Sequence, residues 1–223
     1  MKPELLDFLC CPECGELVAL KNEIYEKNEI KEGLLICVNT HEYKIINFIP
    51  RFVKADIYSL SFIYEWAHFS KTQLDSSSGD NLSETKFQGR IDFPLVSLKN
   101  NFVLDAGCGT GRYLEIVKKY GGAGIGIDLS YAVDVAFKNI GLEKNVHIIQ
   151  GDILKPPLKK EIFDFIYSFG VLHHTPDAKA GFFCLTKLLK KNGKFSLFVY
   201  DSYEKAIDYS SNFWRKITTR LPL

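Results

Sequence analysis

Two groups of residues have types and spacing suited to chemistry. The first lies at the N-terminus. Cys11-Pro12-Glu13-Cys14 is a Cys-x-x-Cys knuckle, and Cys37-Val38-Asn39-Thr40-His41 supplies Cys-x-x-x-His after a gap of 22 residues. Three thiolates and one imidazole can close a tetrahedral Zn²⁺ site with no open position for catalysis. Cys11, Cys14, Cys37 and His41 are therefore the candidate ligands of a structural zinc, and Cys10 is the spare thiol. The alternative is a ribbon without metal, with Cys37 and His41 as ordinary core residues. The second group begins at Phe102-Val103-Leu104-Asp105-Ala106-Gly107-Cys108-Gly109-Thr110-Gly111, an apolar run entering a Gly-x-Gly-x-Gly turn. Glycine lets the backbone turn sharply and lets a ligand lie against the main chain. Arg112 stands where the third glycine of a dinucleotide fingerprint would fall, and no phosphate-loop pattern is present. An acid before such a loop, Asp105, suits a ligand with a cationic amino group and no phosphate. Asp128 closes Gly124-Ile125-Gly126-Ile127-Asp128, 23 residues after Asp105. In a doubly wound sheet an acid there faces a ribose. Asp152, after Gln150-Gly151, is placed to accept a hydrogen bond from an adenine amino group.

These residues need elements to hold them. From Asn101 the chain alternates β and α signals, with strand candidates at 102–106, 123–128, 146–151, 163–168 and 194–200. Helical stretches fall near 111–120, 130–140 and 178–191, the last expected to stop at Asn192-Gly193. The strands read as near-continuous apolar runs, which parallel strands covered on both faces require. Residues 1–54 have short β-like runs and too few apolar residues for a core, so a metal is expected to make up the shortfall. The fold class expected is α/β: a Rossmann-like, doubly wound, mostly parallel sheet preceded by a small β-rich zinc ribbon. The boundaries are 1–54 for the ribbon, 55–95 for an aromatic lid or linker, and 96–223 for the α/β domain. Residues 70–90 are polar, and Ser76-Ser77-Ser78-Gly79-Asp80 reads as a mobile loop.

Composition narrows the classes. A hydrophobic fraction of 46% and a charged fraction of 25% are those of a soluble globular protein. The formal net charge of +1 supplies no global field for nucleic acid. The apolar run Leu5–Leu9 is too short and too acidic for a secretory signal, and no stretch approaches a membrane span. The expected location is the cytoplasm. There, clustered cysteines point to metal rather than disulfides.

Four stretches in order resemble the successive motifs of class I S-adenosylmethionine-dependent methyltransferases. They are Val103–Arg112, Gly126-Ile127-Asp128-Leu129-Ser130, Gln150-Gly151-Asp152-Ile153, and Phe163-Asp164-Phe165-Ile166-Tyr167-Ser168 running on to Leu172-His173-His174. The resemblance implies that Gly107 and Gly109 pack against S-adenosylmethionine and that Asp105 organises the site near its amino group. It implies that Asp128 holds the ribose hydroxyls, with Leu129 beside the adenine. Asp152 would hold the adenine amino group, Ile153 would lie on the ring through its backbone, and Ser168 would line the methionine side. The ribbon resembles the small zinc-ribbon activators of tRNA and protein methyltransferases, and its Cys-x-x-x-His half resembles the zinc module of ribosomal-RNA guanine methyltransferases. Residues 1–54 hold seven Lys/Arg against nine Asp/Glu, which argues against a phosphate-tracking role.

The expected function is methyl transfer from S-adenosylmethionine to a small-molecule acceptor. The alternatives are an RNA base methyltransferase docking RNA through the ribbon, and a non-catalytic partner of another methyltransferase. His173 aligns with the base of small-molecule O-methyltransferases; the competing reading is local packing of His173 and His174 before the helix at Asp177. The aromatics Tyr58, Phe62, Tyr64, Trp66 and Phe69 are a candidate lid, and Arg90 a candidate contact for the cofactor carboxylate. Only 23 residues follow Tyr200, so the last two strands of a complete domain are expected to be absent. A tail, a second copy or another protein is then expected to cover the strand edge at 194–200.

Overall fold

The structure is a computed structural model that describes residues 1–53 and 74–199. The aromatic stretch 57–69 and the expected helix at 203–217 lie outside the described residues. The N-terminal run is an antiparallel meander of β1 (Val18–Glu26), β2 (Glu29–Cys37), β3 (Glu42–Ile46) and β4 (Ile49–Arg51). One face is buried through Ile30, Leu35, Ile45 and Ile49 while the other stays polar, as an antiparallel sheet allows. Two-residue turns join β1 to β2 at Lys27-Asn28 and β3 to β4 at Asn47-Phe48, all four with positive φ. Turns of this hand match the twist of the strands they connect.

Beyond it come β5 (Phe102–Ala106), β6 (Ala123–Asp128), β7 (Val146–Gln150), β8 (Phe163–Phe169) and β9 (Leu189–Phe198), paired in parallel. Val103, Leu104, Ile125, Ile127, Ile149 and Ile166 are wholly buried. Each such side chain contributes about 2 kcal/mol over exposure. The helices are α1 (Leu82–Gln88), α2 (Arg112–Lys119), α3 (Ala132–Ala136), which runs into a π turn at Phe137–Gly141, and α4 (Ala178–Thr186). All nine strands form one sheet in the order β1-β2-β3-β4-β7-β6-β5-β8-β9. From β5 the chain winds one way to β6 and β7, then the other way to β8 and β9. The carboxyl end of β5 is therefore the switch point, where open α/β sheets bind ligands.

The ribbon is built into this sheet. β4 pairs in parallel with β7 at Arg51 and Gln150, and Phe52 N donates to Gln150 O at 2.8 Å. Leu5, Leu9, Ile30 and Leu35 share one apolar cluster with Leu104, Ile125 and Ile149.

Two expectations are corrected. The helix expected to reach Asn192 ends at Thr186, and β9 begins at Leu189. The carbonyls of Lys187 and Leu188 accept from Glu161, Ile162 and Phe163, so this backbone is already paired with the entry of β8. Asn192-Gly193 forms an irregularity inside β9, with Asn192 at φ 69°. The stretch from 74 to 90, expected as a loop, contains α1. Asp75 caps it: its two carboxylate oxygens accept from Ser83 N at 2.8 Å and Glu84 N at 2.9 Å. Phe87 drops from α1 into the core, edge-on to Tyr167 at 4.9 Å. Phe87→Ala is expected to cost roughly 3–5 kcal/mol. Thermal unfolding should show a fall of about 10 °C; a fall below about 2 °C would mean α1 is not part of the cooperative core.

β9 is an outer strand, and Leu197 and Val199 are exposed on it. No helix among the described residues is long and apolar enough to cross a membrane.

Candidate functional site

The glycine turn after β5 opens a ligand-sized surface. Gly107 has φ 94°, and a Cβ there would meet Val171 Cγ2 at 2.3 Å. Only glycine lets the turn after β8 lie against this loop. Gly109 also has positive φ, but a Cβ there would meet nothing within 4 Å. Its bare backbone faces open space at the carboxyl edge of the sheet.

The three acids stand around this turn. Asp105 is 2% exposed, and neither its Oδ2 nor the hydroxyl of buried Tyr167 beside it has a hydrogen-bond partner among the described residues. Asp128 Oδ2 accepts from Gly109 N at 2.9 Å, and its Oδ1 accepts from Ser130 N at 2.9 Å and Ser130 Oγ at 2.7 Å. Each carboxylate oxygen has two acceptor sites, so capacity remains. Gly151 N donates to Asp128 O at 2.9 Å, which ties the Asp152 turn to the tip of β6. Asp152 Oδ1 accepts from Leu154 N at 2.8 Å. Leu129 is exposed at the rim, while the Ile153 side chain is buried in the main core.

Burial pushes the Asp105 carboxyl up to about 8, helped by the neighbouring charge of Asp128 and opposed by the Tyr167 hydroxyl. In the unfolded chain the same group ionises near the ordinary carboxylate value. The folded state therefore keeps a proton that the unfolded state loses, and this stability is present at about pH 4 and lost as pH rises through about 8. Asp105→Asn is neutral throughout. It should unfold near the parent's temperature at pH 4 and several degrees above it at pH 8. Parallel melting-temperature profiles would contradict the assignment.

Other expected residues are placed as follows. Ser168 is fully buried, and its hydroxyl donates to Ala106 O at 2.8 Å, which commits it to the β5–β8 pair. His173 lies in the turn Leu172–His174 after β8, its ring 4.0 Å from that of His174. Burial, then the charge of His174, lowers its pKa, so a neutral imidazole is favoured. Arg90 reaches the carboxyl edge, donates to Tyr113 Oη at 2.6 Å and lies over Phe198 at 4.1 Å. Tyr167, Val171, Gln150 and Arg51 were not singled out from the sequence. Tyr167 alone left a signal there, as a hydroxyl within an apolar strand.

At the other end of the sheet, one ligand atom from each of Cys11, Cys14, Cys37 and His41 lies within 4.8 Å of the others. Cys14 Sγ and Cys37 Sγ are 3.7 Å apart, and His41 Nδ1 is 3.4 Å from the sulfurs of Cys11 and Cys37. Zinc–sulfur bonds of ~2.3 Å in a tetrahedron place sulfurs roughly 3.8 Å apart, so the donor set fits that ion. Tyr43 Oη, 3.1 Å from Cys11 Sγ, can steady that sulfur. Cys10 stays outside the cluster, buried, with its thiol pushed up to about 11 chiefly by burial.

Comparison with known proteins agrees with this geometry. Residues 104–197 match the family model described as a methyltransferase domain. The 24-methylenesterol C-methyltransferase 3 of Arabidopsis thaliana is 27% identical over 171 residues, which is 72% of this chain and 47% of the relative. The chain thus spans about half the length of the curated relatives it matches. A crystal structure described as a candidate S-adenosylmethionine-dependent methyltransferase of Methanococcus maripaludis superposes with TM-score 0.53 at 19% identity, covering 74% of this chain and 78% of that one. A complex of the Haloferax volcanii Trm112 methyltransferase activator with its candidate methyltransferase gives TM-score 0.52 at 18% identity, covering 67% of this chain and 65% of that one. Residues 104–197 are a methyltransferase domain, and the chain that holds them has the fold of the class I S-adenosylmethionine-dependent methyltransferases.

Proposed function

We propose that this protein is an S-adenosylmethionine-dependent methyltransferase acting on a small-molecule acceptor, with a structural zinc in its N-terminal ribbon. The observation that carries the reading is the set of strand-tip acids around a bare glycine turn. Asp128 is bonded to Gly109, Asp105 is beside it with an unpartnered oxygen, and Asp152 follows the backbone tie from Gly151. A cationic amino group suits the buried, unpartnered Asp105 oxygen, because a charge partner there offsets the cost of ionising it. Asp128 has acceptor capacity for ribose hydroxyls, and Leu129 offers an exposed apolar face for an adenine.

The bound cosubstrate supplies an electrophilic methyl group on a sulfonium. The chain's own work is to bind, orient and exclude water. For an acceptor that must lose a proton, His173 is the base this reading names, as a near-neutral imidazole beside the β8 tip. The ribbon's balance of acids over bases and the sterol substrate class in the name of one relative support a small acceptor over RNA. The neighbour in complex with a separate activator supports a supporting role for the ribbon, which here belongs to the same chain. Titration calorimetry of the purified chain with S-adenosylmethionine tests the core of the proposal. One site per chain is expected, and the absence of heat from folded protein would overturn it.

A further inference from the structure

Two contacts from the ribbon end at the cofactor loops rather than at the sheet alone. The Arg51 side chain, on β4, is only 10% exposed. Its guanidinium donates to both carboxylate oxygens of Asp134 on α3, at 2.6 and 3.1 Å, and to Gln150 Oε1 at 2.9 Å. Gln150, at the tip of β7, is 1% exposed, and its Nε2 donates to Leu129 O at 3.1 Å. A carboxamide has one acceptor end and one donor end. The cation on the oxygen end fixes which way it faces. Turned over, Gln150 would present oxygen to the oxygen of Leu129, and the loop after Asp128 would lose its hold.

The second contact starts at Phe48, in the β3–β4 turn with φ 68°. A bulky side chain in that conformation is strained and needs compensation from its surroundings. Its ring stacks on Phe137 at 5.4 Å and 5°. Phe137 opens the π turn that ends at Gly141, and π turns often mark functional sites. Within that turn Asn139 Nδ2 donates to Thr110 O in the glycine loop at 3.0 Å, and Ile140 packs against Gly111. Both lines start on the β4 side of the ribbon and reach the backbone that the ligand would touch.

We infer that Arg51 is a positioning residue for the adenosyl ligand, acting through the orientation of Gln150 on the Leu129 loop, so that the ribbon tunes ligand affinity from outside the site. This rests on the proposed methyltransferase function. It concerns the adenosine half of the ligand, because Leu129 follows the ribose acid Asp128.

The test is calorimetry on the full-length chain with S-adenosylhomocysteine and 5′-methylthioadenosine. Arg51→Met keeps the length and removes the charge, and it should weaken both ligands about tenfold, the size of one charge-assisted hydrogen bond. Equal loss for both places the effect at the adenosine end. Arg51→Lys, which keeps the ion pair with Asp134 but cannot fork to Gln150, should show a smaller loss in the same direction. It serves as the second variant should Arg51→Met fail to fold. A cycle with Gln150→Leu separates positioning from general stability. If Arg51 acts through Gln150, the double variant is within about twofold of the weaker single variant. Independent, multiplying losses would overturn the inference, and so would folded Arg51 variants within twofold of the parent. A parent that binds neither ligand would overturn the methyltransferase reading itself and this inference with it.

Discussion

Asp128→Ala is expected to bind S-adenosylmethionine at least roughly a hundredfold more weakly than the parent. Two separate losses add up in that substitution. The first is direct: a carboxylate accepting from two ribose hydroxyls makes two charge-assisted hydrogen bonds, each contributing about 1.5–3 kcal/mol. The second is the loop itself, since Asp128 Oδ2 holds Gly109 N at 2.9 Å and Oδ1 holds Ser130. Without them the glycine turn keeps its positive-φ residues but loses the acceptor that ties it to β6. Asp128→Asn retains one acceptor oxygen and turns an amino group towards Ser130 N, so a loss of about tenfold is expected. Asp152→Ala removes a single acceptor for the adenine and should also cost about tenfold. Calorimetry on variants with parent-like melting separates these steps. An Asp128→Ala protein within threefold of the parent would mean that the ligand lies elsewhere on the sheet.

The parts legible in the sequence were those set by local pattern. β5 and β6 fall where their apolar runs fall, because a strand buried on both faces admits few polar residues. The four metal-type residues are together because Cys-x-x-Cys and Cys-x-x-x-His each make their own tight turn, with Gly15 N bonded to Cys11 O and Thr40 N to Cys37 O. What was not legible depends on distant pairing. The polar run 82–88 is a helix because Asp75 caps it from outside and Phe87 has an aromatic pocket to enter. The start of β9 moved back to Leu189 because β8 had carbonyls there to pair with. Arg51 lies 83 residues from Asp134 and 99 from Gln150, and no local pattern relates them. The merging of ribbon and sheet rests on that same join at β4 and β7.

That join decides what metal removal should do. A tethered ribbon would melt alone and leave the α/β sheet behind. Here Ile30, Leu35 and Ile45 of the ribbon pack in the same cluster as Leu104 and Ile127, and Lys2 Nζ donates across to Gly141 O at 2.5 Å and Val146 O at 3.0 Å. Structural zinc sites in small modules contribute on the order of 10 kcal/mol to folding, because the unfolded chain has no preformed site. A shared core retains part of the ribbon's order without metal, so a smaller loss, roughly 5 kcal/mol, is expected. Exhaustive chelation should therefore lower the melting temperature by about 10 °C or more. Cys14→Ser should match the chelated parent and respond little to chelator. The shape of the curve carries as much information as its midpoint. One cooperative transition, shifted as a whole, is expected if β4 and β7 unzip together with the core beneath them. A low transition followed by an unchanged high one would make the ribbon a separable module. An unshifted midpoint, with no zinc released to an indicator dye, would leave the Cys11–His41 cluster without its metal.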